Sequence, residues 1–97
     1  MKKNLSYSIV IFALFYSINI HAATLADECG LLSDENLLEQ ALAVCTEAAN
    51  TGDAKSQTTL GEIYDQQGDS EKTALWWNRA ANFGYQPARN LLAMKYY

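Results

Sequence analysis

Few side chains in this chain have the type and spacing to do chemistry. The single histidine, His21, has no second ligand or acid nearby. Cys29 and Cys45 stand sixteen positions apart, so they lack the Cys-x-x-Cys spacing of a redox-active dithiol. Asp27-Glu28 and Asp34-Glu35 are adjacent carboxylates. Neighbours on a helix point apart, so such pairs complement the dipole at a helix start better than they share a proton. Ser56-Gln57-Thr58-Thr59 offers hydroxyls with no base beside them, and there is no Gly-x-Ser-x-Gly elbow. Trp76-Trp77 could form an aromatic patch, but the two rings leave the helix about 100° apart. Trp76 is expected in the core, whereas Trp77 is a candidate interface residue. No catalytic, cofactor-binding or metal-binding set emerges, and the chain reads as a non-enzyme.

What the cysteines do depends on where the chain goes. Met1-Lys2-Lys3 is a basic start, residues 9–18 form the apolar run IVIFALFYSI, and Ala22-Ala23 follow. That order is the pattern of a secretory signal peptide, with the cut expected after Ala22. The run falls short of the ~20 residues of a comfortable membrane span, though a retained anchor is the alternative. Residues 1–22 are therefore expected to be removed, leaving 23–97 as one small domain in the periplasm or outside the cell. No cysteine lies at the cut, so no lipid anchor is indicated. Once exported, an even number of cysteines reads as one disulfide, Cys29–Cys45, which would stabilise the fold by ~3 kcal/mol. His21 falls within the removed part, which leaves a metal site without imidazole.

The whole chain has a formal charge of −4. Without Lys2 and Lys3, five basic residues face eleven acidic ones, a charge of −6. A field of that sign disfavours nucleic acid and anionic lipid and suits a basic protein partner.

The elements that must position these residues are helices. Ser33 is expected to cap a helix over 34–50, whose apolar positions (Leu37, Leu38, Ala41, Leu42, Cys45, Ala48, Ala49) recur every three to four residues. Gly52 ends it. A second helix is expected from about Asp53 to Gln67, and a third capped by Asp69 or Ser70 and ending at Gly84. A fourth, with Pro87 in its first turn, is expected to run to the end. No alternating run suggests a strand.

A segment also occurs twice. Residues 52–64 read GDAKSQTTLGEIY and residues 84–96 read GYQPARNLLAMKY, with Gly52 matching Gly84, Leu60 matching Leu92, and Tyr64 matching Tyr96. Ala48-Ala49 and Ala80-Ala81 precede the two copies at the same offset. A fixed period of this size means stacked supersecondary units.

On these residues, 48–97 resemble Sel-1-like repeats, relatives of the tetratricopeptide repeat. The resemblance rests on Gly52, Ala54, Leu60, Gly61 and Tyr64. It continues on Ala74, Trp76, Trp77, Ala80, Ala81 and Gly84, then Ala88, Leu92 and Tyr96. It implies an all-α fold: a short α-solenoid of antiparallel hairpins, with about two repeats and a degenerate one in front. Residues 24–32 would be a stunted first helix of that front unit. Leu60, Gly61, Tyr64, Ala74, Trp76, Ala80, Ala81, Leu92 and Tyr96 would be repeat-packing residues.

Trp77, Leu91, Met94 and Tyr97 are candidate interface residues. The last helix carries more apolar positions than one packed face can cover, so homodimerisation through it is an expectation. The resemblance implies a non-enzymatic protein-binding module, an adaptor or regulator. An inhibitor or immunity protein against an envelope-acting toxin or hydrolase fits the same features. Cysteine-rich relatives suggest weak β-lactamase-like activity, but they carry cysteine pairs in repeat after repeat, and this chain has one pair.

Overall fold

The computed structural model describes residues 25–97; the signal peptide expected over 1–22 and its expected cut after Ala22 lie outside the described residues. Five helices account for most of this part, with no strand among the described residues. They are α1 over 25–34, α2 Leu38–Asn50, α3 Ala54–Gln66, α4 Ser70–Asn82 and α5 Gln86–Tyr96. Connections of three residues turn each helix back along the one before, and α2–α3, α3–α4 and α4–α5 pack as sequential neighbours.

The turns share one construction. Asn36, Gly52, Gly68 and Gly84 all have positive φ, between 61° and 95°. They stand sixteen residues apart. In each turn the positive-φ residue donates its N–H three residues back. These bonds are Asn36 to Ser33 O at 3.1 Å, Gly52 to Ala49 O at 3.0 Å, Gly68 to Asp65 O at 3.0 Å and Gly84 to Ala81 O at 2.9 Å. In three of the four, the next residue reaches five back, as in Leu37 to Leu32 O, Asp69 to Tyr64 O and Tyr85 to Ala80 O. This is the Schellman closure, which satisfies the orphan carbonyls of a helix end and needs a left-handed residue.

The following residue starts the next helix. Asp53 and Asp69 cap α3 and α4 by accepting from the N–H groups of Ser56 and Lys72. Asp69, not Ser70, is thus the cap of α4. Pro87 sits in the first turn of α5.

The first turn corrects the expected helix over 34–50. Ser33 lies inside α1, and α2 begins only at Leu38. The reason is Asn36, which takes φ of 61° where the other turns use glycine. Asparagine tolerates that region better than other non-glycine residues. With α2 starting a turn late, α1 lies alongside it and the sulfurs of Cys29 and Cys45 are bonded, with Cα atoms 4.7 Å apart.

The core runs through the stack. Cys29, Ala41, Cys45, Ala48, Ala49, Leu60, Ile63 and Trp76 form one buried cluster, continued by Thr73, Trp77, Ala80, Ala88 and Leu92. Burial repeats with the sequence offset: Ala41 and Thr73, Cys45 and Trp77, Ala48 and Ala80, Ser56 and Ala88, Leu60 and Leu92 are all buried. Small side chains on α2 and α4 let the backbones approach, while Leu60, Ile63 and the two tryptophans fill the space.

Candidate functional site

The tryptophans divide differently from the expectation. Trp77 is the more buried, at 2 % exposure against 8 % for Trp76. Its Nε1 donates to Thr58 O at 3.1 Å, and its ring lies against Gly61. Trp77 is therefore not a surface aromatic. Its place in the core depends on a glycine opposite, which a periodicity argument on α4 alone cannot see. Trp76 keeps one edge at the surface, where the Arg79 guanidinium stacks 4.7 Å from its ring centroid.

The packing residues named from the sequence are not equally buried. Leu60, Gly61, Ala80 and Leu92 are buried, whereas Tyr64, Ala74 and Ala81 are half-buried. Tyr96 is 40 % exposed; it lies at the rim, its ring edge-on to Trp77 and its hydroxyl donating to Ser70 O at 3.1 Å. At the same end Leu91 is half-buried, and Met94 and Tyr97 are 82 % and 96 % exposed. Tyr97 does not fold back onto the stack. Lys95 on α5 pairs with Asp65 on α3, and this bond holds its ammonium above the usual lysine range.

The feature that sequence reasoning missed is a notch at the opposite ends of α2 and α4. It is an open depression of about 370 Å3, bounded by Asn50, Arg79, Asn82 and Phe83, with Gln57 at its floor. The helix ends that build it are set by two of the repeated turns, at Gly52 and Gly84. Gln57 is 4 % exposed. Its Nε2 donates to Ala49 O at 3.2 Å, which fixes the amide orientation, since a flipped amide would set oxygen against oxygen. Its Oε1 has no hydrogen-bond partner, and it is the one such buried side-chain atom among the described residues.

The other buried polar side chains are satisfied locally. Ser56 Oγ donates to Asp53, Thr58 Oγ1 to Ala54 O and Thr73 Oγ1 to Asp69 O. Phe83, on the rim, is 70 % exposed.

A second electrostatic feature lies where the α1–α2 turn meets α3. Burial raises the carboxyl pKa of Glu62 above its ordinary 4.5, and the charges of Asp34 and Asp65 raise it further. The outer face of α1 carries Asp27, Glu28 and Asp34, and Glu35 follows in the turn to α2, all exposed.

Among the described residues no group of His, Cys, Asp and Glu could hold a metal ion, and no helix is long and apolar enough to cross a membrane. Comparison with protein-family models, with curated proteins and with solved structures returned no match.

Proposed function

We propose that this chain is an exported, non-enzymatic protein-binding module built as a short stack of Sel-1-like helical hairpins. The observation that carries the reading is the recurrence of one turn four times at sixteen-residue spacing. Two turns make a unit of thirty-two residues, the offset at which the sequence repeats. A stack of identical units exposes continuous surfaces rather than an enclosed cleft, which suits the recognition of another protein.

The front unit follows the same plan with different chemistry. Cys29 and Cys45 stand thirty-two residues before Gly61 and Trp77. The disulfide thus occupies the position that glycine–tryptophan packing fills in the next unit. On this reading α1 is a shortened first helix, held by a covalent bond where it lacks apolar area.

Removal of residues 1–22 in export accounts for the disulfide and for the −6 charge of what remains. The carboxylates on the outer face of α1 favour a basic partner and support a second reading, an inhibitor of a basic envelope enzyme. Co-purification of the processed protein from its native envelope tests both. A stoichiometric resident protein supports the adaptor, and a basic hydrolase or toxin that loses activity supports the inhibitor. A protein that elutes alone under conditions preserving envelope complexes, and hydrolyses nitrocefin, would overturn both and point to the β-lactamase-like alternative.

A further inference from the structure

We propose that a second copy of this chain seats its α1 on the exposed face of α5 around Ala93, so that copies stack head to tail with Leu31 packed on Ala93. The proposal goes beyond the protein-binding reading and does not need it, since the partner is the chain itself. Its starting point is a comparison within the chain. Cys29, Gly61 and Ala93 stand thirty-two residues apart, on α1, α3 and α5. Cys29 is bonded to Cys45 on α2, and Gly61 receives the ring of Trp77 on α4. At both positions a helix takes the one that follows it. Ala93 holds the same place on α5 and is exposed. Thus α5 repeats a helix-receiving face that no helix fills among the described residues.

The rim of that seat selects its occupant. Arg89 and Asn90 lie one turn before Ala93, Met94 beside it and Tyr97 one turn after, all exposed. Lys95 is paired with Asp65, so Arg89 is the cation of this rim, and α5 holds no acidic side chain. Leu31 is the reciprocal feature. It stands about 200° round α1 from Cys29, away from the bridge, and is 61 % exposed. Asp27, Glu28 and Asp34 lie one turn either side of it, and Glu35 follows. Residues 25–54 hold seven carboxylates and no lysine or arginine. The ion pairs among the described residues, Lys72–Asp69 and Lys95–Asp65, lie elsewhere. A leucine ringed by carboxylates therefore meets a small residue rimmed by Met94, Tyr97 and a guanidinium. Size agrees with charge. A Cβ at 61 would collide with the Trp77 ring, and Ala93 carries that carbon, so its seat takes a side chain narrower than indole. Leu75 on α4 is also exposed, but its flanks mix Glu71 with Lys72 and Arg79 and give no such match. Two α1 faces would set carboxylate against carboxylate, and two α5 faces offer Arg89 no carboxylate. The contact is heterologous, so copies extend as a linear stack.

The experiment is sedimentation of the oxidised chain, as the producing cells process it, over a concentration series up to about 1 mM. The wild type is expected to gain mass with concentration and to pass beyond a dimer. Leu31→Arg sets a cation towards Arg89, and Ala93→Glu fills the seat and sets a carboxylate towards those of α1. Both positions are exposed, so each variant should keep the wild-type melting curve and stay monomeric alone. Met94→Glu blocks the same face and stands in for Ala93→Glu if that variant melts early. Mixed in equal amounts, the two blocked variants keep one good face each and should form a dimer that does not grow.

A wild type that stays monomeric throughout overturns the proposal. Association of Leu31→Arg at wild-type strength also overturns it and makes α5 pair with α5. Association of Ala93→Glu at wild-type strength places the contact away from α5, and a mixture that stays monomeric denies that the two faces meet; either result overturns it. A foreign partner, found or not found by co-purification, changes none of these outcomes, so the two readings fail separately.

Discussion

At the scale of single residues, two glycines have opposite meanings. A Cβ on Gly61 would sit 2.3 Å from Trp77 Cδ1 and 2.4 Å from its Nε1. The ring cannot retreat without breaking its bond to Thr58 O. Gly61→Ala should therefore destabilise by about 1–3 kcal/mol, the cost of overpacking, read from a denaturant curve. Gly30, in α1, has nothing within 4 Å of the same added carbon. Gly30→Ala should instead raise stability by up to about 1 kcal/mol, since it removes backbone freedom from the unfolded chain. Both tryptophans are buried, so Trp76→Ala and Trp77→Ala should each cost about 3–5 kcal/mol.

Glu62 gives a pH test at the same scale. Its carboxyl pKa is raised in the fold, so the native state holds that proton more tightly than the unfolded chain does. Its penalty is absent below the unfolded pKa, grows as pH rises towards the folded one, and is complete above it. Glu62→Gln should thus raise the melting temperature at neutral pH, with the gain vanishing near about pH 3. A gain independent of pH would show that the carboxylate charge is not its source.

At the scale of elements, α1 is the least self-sufficient helix. Its outer face carries three exposed carboxylates and the exposed Leu31, and it reaches the core mainly through Cys29, with Leu25 and Leu32 packed beside it. Loss of the bridge in a Cys29→Ser/Cys45→Ser double variant should cost ~3 kcal/mol, which in a domain of this size lowers the melting midpoint by roughly 10–20 °C. Hydrogen exchange should then quicken first in 25–34, while α3 and α4 stay protected. The turn between α1 and α2 offers a finer test. Asn36→Gly should be neutral or stabilising, because it removes a Cβ from a positive-φ position, and Asn36→Ala should cost roughly 1 kcal/mol, because alanine keeps the Cβ and loses the polar side chain that lets asparagine tolerate that region. The exposed Lys95–Asp65 pair should matter little by comparison.

At the scale of the molecule, the two ends of the stack differ in kind. The α1 end is acidic. α5 presents the exposed Arg89, Asn90 and Met94, and Tyr97 follows exposed at its C-terminal end. Met94 and Tyr97 remain candidates for the homodimer expected from the sequence, and sedimentation of the wild type against Met94→Glu measures it. A dimer that persists in the variant would place the contact elsewhere. Mass spectrometry of the secreted or periplasmic fraction should find an N-terminus at Ala23. A full-length, membrane-retained chain would remove the basis of the export reading.

The sequence determined a good deal of this by itself. Helical periodicity, the glycines at 52, 68 and 84 and the thirty-two-residue offset are local signals, and short connectors leave neighbouring helices little choice but to pack. The pairing of Cys29 with Cys45 was legible because only two cysteines exist. The start of α2 was not legible, since Asn36 reads as an ordinary polar residue until its φ is known. Nor was the inward turn of Trp77, which depends on the missing side chain of Gly61 one helix away. The unpaired oxygen of Gln57 was hidden for the same reason: a glutamine near a helix start gives no sign of its neighbours. Local propensity follows from residues near in sequence, whereas these outcomes were decided by contacts between helices, which only tertiary packing defines.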